Sequence, residues 1–226
     1  MTPLPDEDMP GLRWRTLRAG EAASVHALHQ AVLAGTPSGM VRPDPLSHFE
    51  RHIADHGCIL GCFADEDLVA YGVLGVRSPT AHHLAELLEL SPADAARTCV
   101  LDGAATRPAW RGLSLHVTLI AERLALAHSM GLTMVTATVA PENMRSLRGL
   151  LRENFSIHGY ALVYGGLPRL LVRHDTAAPL PRWETVLSVP PADHAGHLKA
   201  LAQGLRGFDS RKDEENRWFI DYGRPL

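Results

Sequence analysis

The chain has 226 residues, of which 46% are hydrophobic and 21% are charged, a composition typical of one globular domain with a buried core. The net charge of -3, with lysine and arginine scattered along the sequence, argues against a nucleic-acid partner, which would require clustered basic residues. No apolar segment approaches membrane-spanning length, residues 1–10 lack the pattern of a secretory signal, and the odd number of cysteines argues against a disulfide framework, so we expect a cytoplasmic protein with a loose N-terminal tail and no membrane partner.

The spacing of apolar residues divides the chain into strands and helices, without an apparent internal repeat. In chain order, the sequence predicts a strand over 12–18, helices over 20–35 and 46–56, strands over 58–64 and 68–76, short helical pieces over 81–90 and 91–97, a strand over 98–106, a helix over 115–130, a strand over 133–140, a helix over 141–154, two strands within 155–174, and then a strand over 183–189, a helix over 193–205 and a polar end. Ser47 and Glu50 predict a capping box for the second helix, after a proline-rich loop over 36–45. This order implies a mixed sheet flanked by helices, parallel at its centre and antiparallel at its ends.

The stretch from Arg107 to Ile120 joins a strand to a new helix. The first N–H groups of a helix have no partners within it and carry a partial positive charge, so they suit a phosphate, and Arg111 adds a full charge. Gly112 leaves one side of this turn open. The alternative is a plain strand-to-helix turn with a solvated arginine.

Asp102 is the one charged residue in the strand over 98–106. Strand alternation places it on the same face as Ala104 and Thr106, and burial would raise its affinity for a proton toward the range useful for a general base. The alternative is an edge-facing carboxylate paired with a nearby arginine.

Histidines recur at every fourth position at His48, His52 and His56. This spacing could bind a metal on one helix face, but no carboxylate or cysteine is dictated nearby, so we expect a solvent-facing surface and no metal. His82 and His83 open the inserted helical piece and either border a substrate pocket or lie at the surface.

The sequence resembles the GCN5-related N-acetyltransferase (GNAT) family from about Leu12 to His174. One marker of that family is a proline, then Arg or Gln, two residues, Gly, one residue, and Gly or Ala at the start of the central helix. Pro108 and Arg111 match this pattern, and Ser114 and His116 occupy its two small positions.

The second marker is an asparagine after the fifth strand, followed by a small residue and then by a Gly-Phe pair. Asn143, Ser146, Asn154 and Phe155 lie at those offsets, and Asn154 tolerates the left-handed backbone for which the family uses glycine. Many members carry a tyrosine seven residues after the asparagine, where this chain has Leu150.

The resemblance implies a GNAT-like mixed central sheet of about seven strands over 11–175, with 176–226 as a small appendage. It also implies that acetyl-CoA binds with its pantetheine arm along the main chain of β-strand residues 104–106 and its pyrophosphate on the N–H groups of 112–116. The predicted cofactor-binding residues are Ala104, Ala105, Thr106, Arg111, Gly112, Leu113, Ser114, Leu115, His116 and Asn143.

The activity implied is direct transfer of an acetyl group to a primary amine, without a covalent intermediate, because no cysteine has an apparent activating partner. Asp102 is the predicted proton acceptor and Tyr164 the predicted proton donor, with Tyr160, His116 or solvent as alternative donors. We expect a small-molecule acceptor, because the loop over 36–45 and the insertion over 81–97 could cover the pocket.

Three alternatives remain open at this point. The fold could serve as a catalytically silent acyl-CoA-binding module in regulation or assembly, which the missing tyrosine and glycines favour. The cleft could instead hold a different ligand. The appendage could pack on its own domain, complete a neighbour's sheet or build a homodimer.

Overall fold

Ten strands form one mixed sheet in the computed structural model, which describes residues 11–226. The strands are β1 (Leu12–Thr16), β2 (Gly57–Ala64), β3 (Asp67–Gly75), β4 (Thr98–Thr106), β5 (Met134–Val139), β6 (Ser156–Val163), β7 (Leu167–Asp175), β8 (Trp183–Val189), β9 (Arg206–Lys212) and β10 (Trp218–Pro225). The helices are α1 (Ala22–Ala34), α2 (Leu46–Arg51), α3 (Pro79–Leu87), α4 (Pro92–Ala96), α5 (Leu115–Ser129), α6 (Met144–Arg152) and α7 (His194–Ala202). The loose tail predicted over 1–10 lies outside the described residues.

The strands follow the order β1-β2-β3-β4-β5-β7-β6-β9-β10-β8 across the sheet. β4 and β5 are parallel, and every other neighbouring pair is antiparallel. The predicted mixed sheet with a parallel centre is therefore confirmed. The first seven strands account for the predicted number, and the C-terminal segment adds three more to the same sheet.

Helices cover both faces of this sheet. On one face, α1 and α2 enclose a core cluster in which Phe49 of α2 meets Tyr71 of β3. On the other face, α5 and α6 bury Ile120 and Leu147 against Val135 of β5. Among the helices of residues 11–226, none is long and apolar enough to cross a membrane.

The second helix begins differently from its prediction. Pro45 is the N-cap of α2, and no side chain caps this terminus, so the capping box of Ser47 and Glu50 is wrong. Proline fixes its own φ and has no N–H, so it is tolerated at the start of a helix. A π-helical turn, His52–His56, follows α2, and Gly57 ends it as predicted.

The C-terminal segment repeats the architecture of the unit before it. The order β5-α6-β6-β7 recurs as β8-α7-β9-β10, and α6 and α7 have nine residues each. Asn143 and Asp193, fifty positions apart, cap the two helices in the same way, each accepting a hydrogen bond from the N–H three residues ahead. The expectation of no internal repeat is therefore wrong at the level of structure.

The two units meet edge to edge in the sheet. Ile157 of β6 pairs with Gly207 of β9, so the unit β5-β7-β6 is followed by its counterpart in reversed order, β9-β10-β8. The predicted polar end is wrong, because it forms the β9–β10 hairpin, in which Ile220 and Tyr222 are fully buried.

Candidate active site

A cavity of about 100 Å³ lies where β4 and β5 part. The two strands pair only as far as Leu101 and Ala137, and β4 then continues to Thr106 beside β3 alone. The second half of β4 therefore has main-chain groups on its β5 side that are free to bind a ligand. The charged side chains that line the cavity are Arg42, Asp44, Asp102 and Arg169.

Asp102 occupies a β-bulge of β4. The register with β3 shifts at this point, so that Asp102 and Gly103 together lie opposite one residue of β3. Gly103 has a φ of +104°, which glycine adopts without strain. Because the bulge breaks the alternation, Ala105 and not Ala104 packs in the core on the α1 and α2 face, and the predicted shared face of Asp102 and Ala104 is wrong.

Arg42 and His52 contact the Asp102 carboxylate, which is 4% exposed. Arg42 donates a hydrogen bond from Nη2 to Oδ1 at 2.9 Å, and the Nε2 atom of His52 lies 3.5 Å from Oδ2. Burial alone would raise the pKa of Asp102, but the adjacent His52 and the charge of Arg42 outweigh it and hold that pKa well below its ordinary value. The expected rise in proton affinity is wrong. Asp102 is paired with an arginine, as in the alternative, but it is buried on a central strand and not edge-facing.

Asp44 is a second buried carboxylate in the cavity, and the sequence analysis missed it. Arg42 Nε donates to its Oδ1 at 2.5 Å. The N–H of Asp44 donates to His29 Nε2 at 3.0 Å, and His29 Nδ1 lies 2.7 Å from the Tyr71 hydroxyl. These bonds hold the predicted loop over 36–45 at the cavity. Burial raises the pKa of Asp44, and the charge of Arg42, which lowers it, only partly offsets this rise.

Two of the regularly spaced histidines are buried rather than exposed, so the expected solvent-facing surface is wrong. His48 and His52 join Asp102 in a cluster whose ligand atoms lie within 4.8 Å of one another. Two imidazoles and a carboxylate are a donor set suited to a transition metal, and Asp102 supplies the carboxylate that the sequence did not indicate. Arg42, bonded to the other oxygen of Asp102, opposes an additional cation there.

Tyr164 lies in the turn directly after β6, with an uncommon φ of +54°. Its hydroxyl is 3.2 Å from Thr138 Oγ1 on β5, and the Arg42 guanidinium lies 4.4 Å from its ring centroid. Burial raises the pKa of Tyr164, so the hydroxyl keeps its proton at neutral pH. Tyr160 stacks instead on His197 of α7 and does not line the cavity.

The turn before α5 presents free main-chain donors. Within residues 11–226, none of the N–H groups of 112–116 donates a hydrogen bond. Ser114 is the N-cap with a φ of +58°, a conformation that glycine adopts freely, and its side chain does not cap the helix. Arg111 is exposed beside this turn, and its side chain forms no ion pair with the described residues.

The side chains of this turn point in different directions. Leu113 is 43% exposed, whereas Leu115 is 1% exposed and packs in the core. His116 lies against Gly149 of α6, and burial, reinforced by the charge of Arg123, lowers its pKa to about 4. The imidazole is therefore neutral at neutral pH and carries no proton to donate from a cationic form.

The other residues considered from the sequence are Asn143, Leu150 and the three cysteines. Asn143 caps α6 and also lines the cavity, whereas Leu150, at the family's tyrosine position, is 4% exposed and packs in the core. All three cysteines are free, and burial raises the pKa of Cys62 to about 11 and that of Cys99 to about 12, so neither is an activated thiolate.

The insertion over 81–97 does not line the cavity, so the cover expected from it is absent there. His82 and His83 have largely exposed side chains close to Glu86, which supports the surface alternative.

Arg123 is a buried cation that the sequence analysis also missed. It is 2% exposed, and its Nη1 donates to the carbonyls of Val73 at 3.0 Å and Gly103 at 3.2 Å. These bonds join α5 to β3 and to the bulge that carries Asp102. The signal in the sequence was a charged residue within the apolar face of a helix.

Comparison with known proteins gives one matching family. The sequence model described as the acetyltransferase (GNAT) family matches residues 23–152. No curated protein sequence matches the chain at a significant level.

Several solved structures share the fold. An N-acetyltransferase from Staphylococcus aureus Mu50 is 15% identical with a TM-score of 0.55, covering 73% of this chain and 98% of its own. A Salmonella typhimurium protein described as an acetyltransferase, solved with its cofactor acetyl-CoA, is 15% identical with a TM-score of 0.55, covering 75% and 98%. The diaminobutyrate acetyltransferase of Paenibacillus lautus, solved with L-2,4-diaminobutyric acid and coenzyme A, is 16% identical with a TM-score of 0.54, covering 74% and 97%.

Proposed function

The chain belongs to the GNAT acetyltransferase family, and we propose that it transfers an acetyl group from acetyl-CoA directly to a primary amine of a small-molecule acceptor. The observation that carries this proposal is the cavity at the parting of β4 and β5, in which two carboxylates and a protonated tyrosine meet. Neither buried thiol is suited to a covalent step, which favours direct transfer.

The residues of this chain fit acetyl-CoA at the two predicted places. The free N–H groups of 112–116, with Arg111 beside them, suit the pyrophosphate. The unpaired side of β4 from Ala104 to Thr106 suits the amide groups of the pantetheine arm. Asn143 would contact the cofactor from the start of α6. When bound, acetyl-CoA supplies the activated acetyl thioester.

Asp102 and Asp44 have different proposed roles toward the amine. An amine must lose a proton before it attacks, and the two groups have pKa values displaced in opposite directions. Asp102, held ionised, binds the ammonium form of the acceptor, and Asp44, with its raised pKa, accepts the proton. This revises the predicted role of Asp102 from proton acceptor to binding group for the amine.

Tyr164 is the proposed proton donor to the leaving sulfur. Its hydroxyl is protonated at neutral pH and lies beside Thr138 on β5, at the strand that borders the parting. This position is reached from the turn after β6, whereas the usual family position, Leu150, is filled by a core side chain. Arg42, stacked on the ring, holds it in place.

The size of the cavity and its cover support a small acceptor. The loop over 36–45 is bonded down over the cavity through Asp44 and Arg42, and the cavity holds about 100 Å³. A long peptide would have to displace this loop. A small amine would not.

The test is release of coenzyme A from acetyl-CoA across a panel of primary amines. We expect turnover with small amines and a loss of about a hundredfold or more in kcat/KM for Asp102→Ala. Asp44→Asn should lose activity at lower pH, where the amine is protonated and needs the proposed proton acceptor. Asp55→Asn, whose side chain is 73% exposed, is the matched control and should behave as the unaltered protein.

Calorimetry with acetyl-CoA separates the alternatives. Binding without turnover for any amine, unchanged by Asp102→Ala, would instead support a silent acyl-CoA-binding module. The absence of binding heat would refute acetyl-CoA as the cofactor and would leave a different ligand for the cavity as the alternative.

A further inference from the structure

Arg169, on β7, is a buried cation without a counterion. Its side chain is 3% exposed, and it lines the cavity that also holds Asp102 and Tyr164. Among the described residues, its side chain makes one hydrogen bond, in which Nη1 donates to the carbonyl of the preceding residue, Pro168, at 2.8 Å. Within residues 11–226, no carboxylate lies within ion-pair distance of it.

The other charged groups of the cavity contact one another. Arg42 binds both Asp44 and Asp102, so that three groups share one positive and two negative charges. This part of the cavity carries an excess of negative charge, whereas Arg169 contributes an isolated positive charge. Burial of an unpaired charge is costly, and burial lowers the pKa of Arg169 accordingly.

A structural role does not account for this arrangement. A guanidinium has five N–H donors in a planar fork, and residues 11–226 accept only one hydrogen bond from Arg169. Arg123 shows the contrast, since its buried guanidinium bonds to three carbonyls. The unused donors of Arg169 are available to a ligand in the cavity.

We propose that the acceptor is an amino acid or a closely similar amino carboxylate, with its carboxylate bound by Arg169 and its ammonium bound by Asp102. A planar carboxylate matches the guanidinium fork with two parallel hydrogen bonds. The ligand then brings a negative group for the unpaired guanidinium of Arg169 and a positive group for the excess negative charge of the Arg42, Asp44 and Asp102 cluster, all of which line the same cavity. This inference rests on the proposed acetyl transfer and names its acceptor class.

The test compares pairs of amines that differ only in the carboxylate. L-lysine against 1,5-diaminopentane and L-methionine against 3-(methylthio)propylamine are suitable pairs, with coenzyme A release as the readout. We expect the amino acid of at least one pair to have the higher kcat/KM by about ten- to a hundredfold, the range of hydrogen bonds to a charged group. Equal or better use of both decarboxylated amines would overturn the proposal without any variant being needed.

A variant locates the effect at Arg169. Arg169→Gln should raise the KM of the preferred amino acid by about tenfold or more and change that of its decarboxylated partner little, while Arg169→Lys restores part of the loss. Arg77→Gln, at an exposed arginine, is the matched control. An equal effect of Arg169→Gln on both members of a pair would overturn the assignment of Arg169.

Calorimetric titration of the same amino acids keeps this proposal separate from the proposed activity. Amino acid binding that is lost in Arg169→Gln, in a protein that releases no coenzyme A, supports the carboxylate site while refuting acetyl transfer. Turnover with amines, without a preference for those that carry a carboxylate, supports acetyl transfer and refutes the carboxylate site.

Discussion

His116→Gln should make the protein less sensitive to acid. The His116 imidazole packs against α6 with its Nε2 atom buried and without a hydrogen-bond partner among the described residues, and burial lowers its pKa from 6.5 to about 4. Below pH 6.5 the unfolded chain therefore binds a proton at this residue that the folded chain refuses. The free energy of unfolding therefore decreases as the pH is lowered from about 6.5 to about 4, because the unfolded state binds more protons than the folded state in this window.

The size of this effect follows from the two pKa values. Between pH 7 and pH 5, a group with pKa 6.5 unfolded and about 4 folded removes about 2 kcal/mol of stability. His48, with a pKa near 4, and His158, with a pKa near 3, act in the same direction. Glutamine does not titrate, so His116→Gln should lose about 2 kcal/mol less than the unaltered protein over this interval.

The assay is urea unfolding at pH 7 and at pH 5, which gives a free energy of unfolding at each pH. The comparison uses the difference between the two pH values, so any change in stability at pH 7 cancels. His82→Gln, whose side chain is 80% exposed, is the control and should leave the difference unchanged. An identical loss of stability in His116→Gln and the unaltered protein would refute the reasoning.

Three further predictions concern the site and the sheet. Tyr164→Phe should lower kcat for coenzyme A release by about ten- to a hundredfold and leave the calorimetric affinity for acetyl-CoA unchanged; an unaltered kcat would remove Tyr164 as proton donor. Ser114→Gly should tighten acetyl-CoA binding several-fold, because glycine takes the φ of +58° freely and clears the amides, and weaker binding in calorimetry would count against a phosphate site there. Gly207→Val should lower the free energy of unfolding by about 1–3 kcal/mol, because a Cβ at 207 would lie 2.5 Å from Ile157 Cδ1. Adding Ile157→Val should restore part of this loss. Unchanged urea unfolding would contradict this packing of the two units.

Local rules predicted those elements whose signals are local. Ser91 caps α4 ahead of Pro92 as the sequence indicates, and Asn154 takes the left-handed conformation, with a φ of +63°, predicted for it at the end of α6. The apolar face of α5 is buried as predicted at Leu119 and Ile120. Such features depend on residues within a few positions of one another, so a single sequence contains them.

The contacts around Asp102 depend on residues far away in the sequence. Arg42 is sixty positions from it, and His52 comes from a helix that the sequence could not place against β4. The bulge adds one residue to the strand, which defeats any prediction from strict alternation. Burial alone would have raised the pKa of Asp102 and made it a better base, and the hydrogen bond of His52 and the charge of Arg42, both distant in the sequence, reverse that shift.

The repeated unit escaped the sequence analysis for a related reason. Its shared features are the N-cap pair Asn143 and Asp193 and the positive φ of Asn154 and Gly204. Each pair fills the same structural position with two different residue types, so the sequences do not match there. β9 carries charged residues because much of it is exposed, so its composition indicates a polar tail. Pairing with β10 along its length, and with β6 at Gly207, makes it a strand.

The C-terminal unit β8-α7-β9-β10 also supports the site, because it packs against the β6–β7 hairpin. Tyr164 lies in the turn between these strands, and Arg169 lies on β7, so the proposed proton donor and the proposed carboxylate-binding group share one hairpin. α7 packs across β6, with His197 stacked on Tyr160 and bonded to Tyr222 of β10. The side of the hairpin that would otherwise be a free sheet edge is thereby fixed. The C-terminal unit thereby supports the hairpin that carries Tyr164 and Arg169, whereas Asp102, Asp44 and the proposed phosphate site at the start of α5 lie in the first part of the chain.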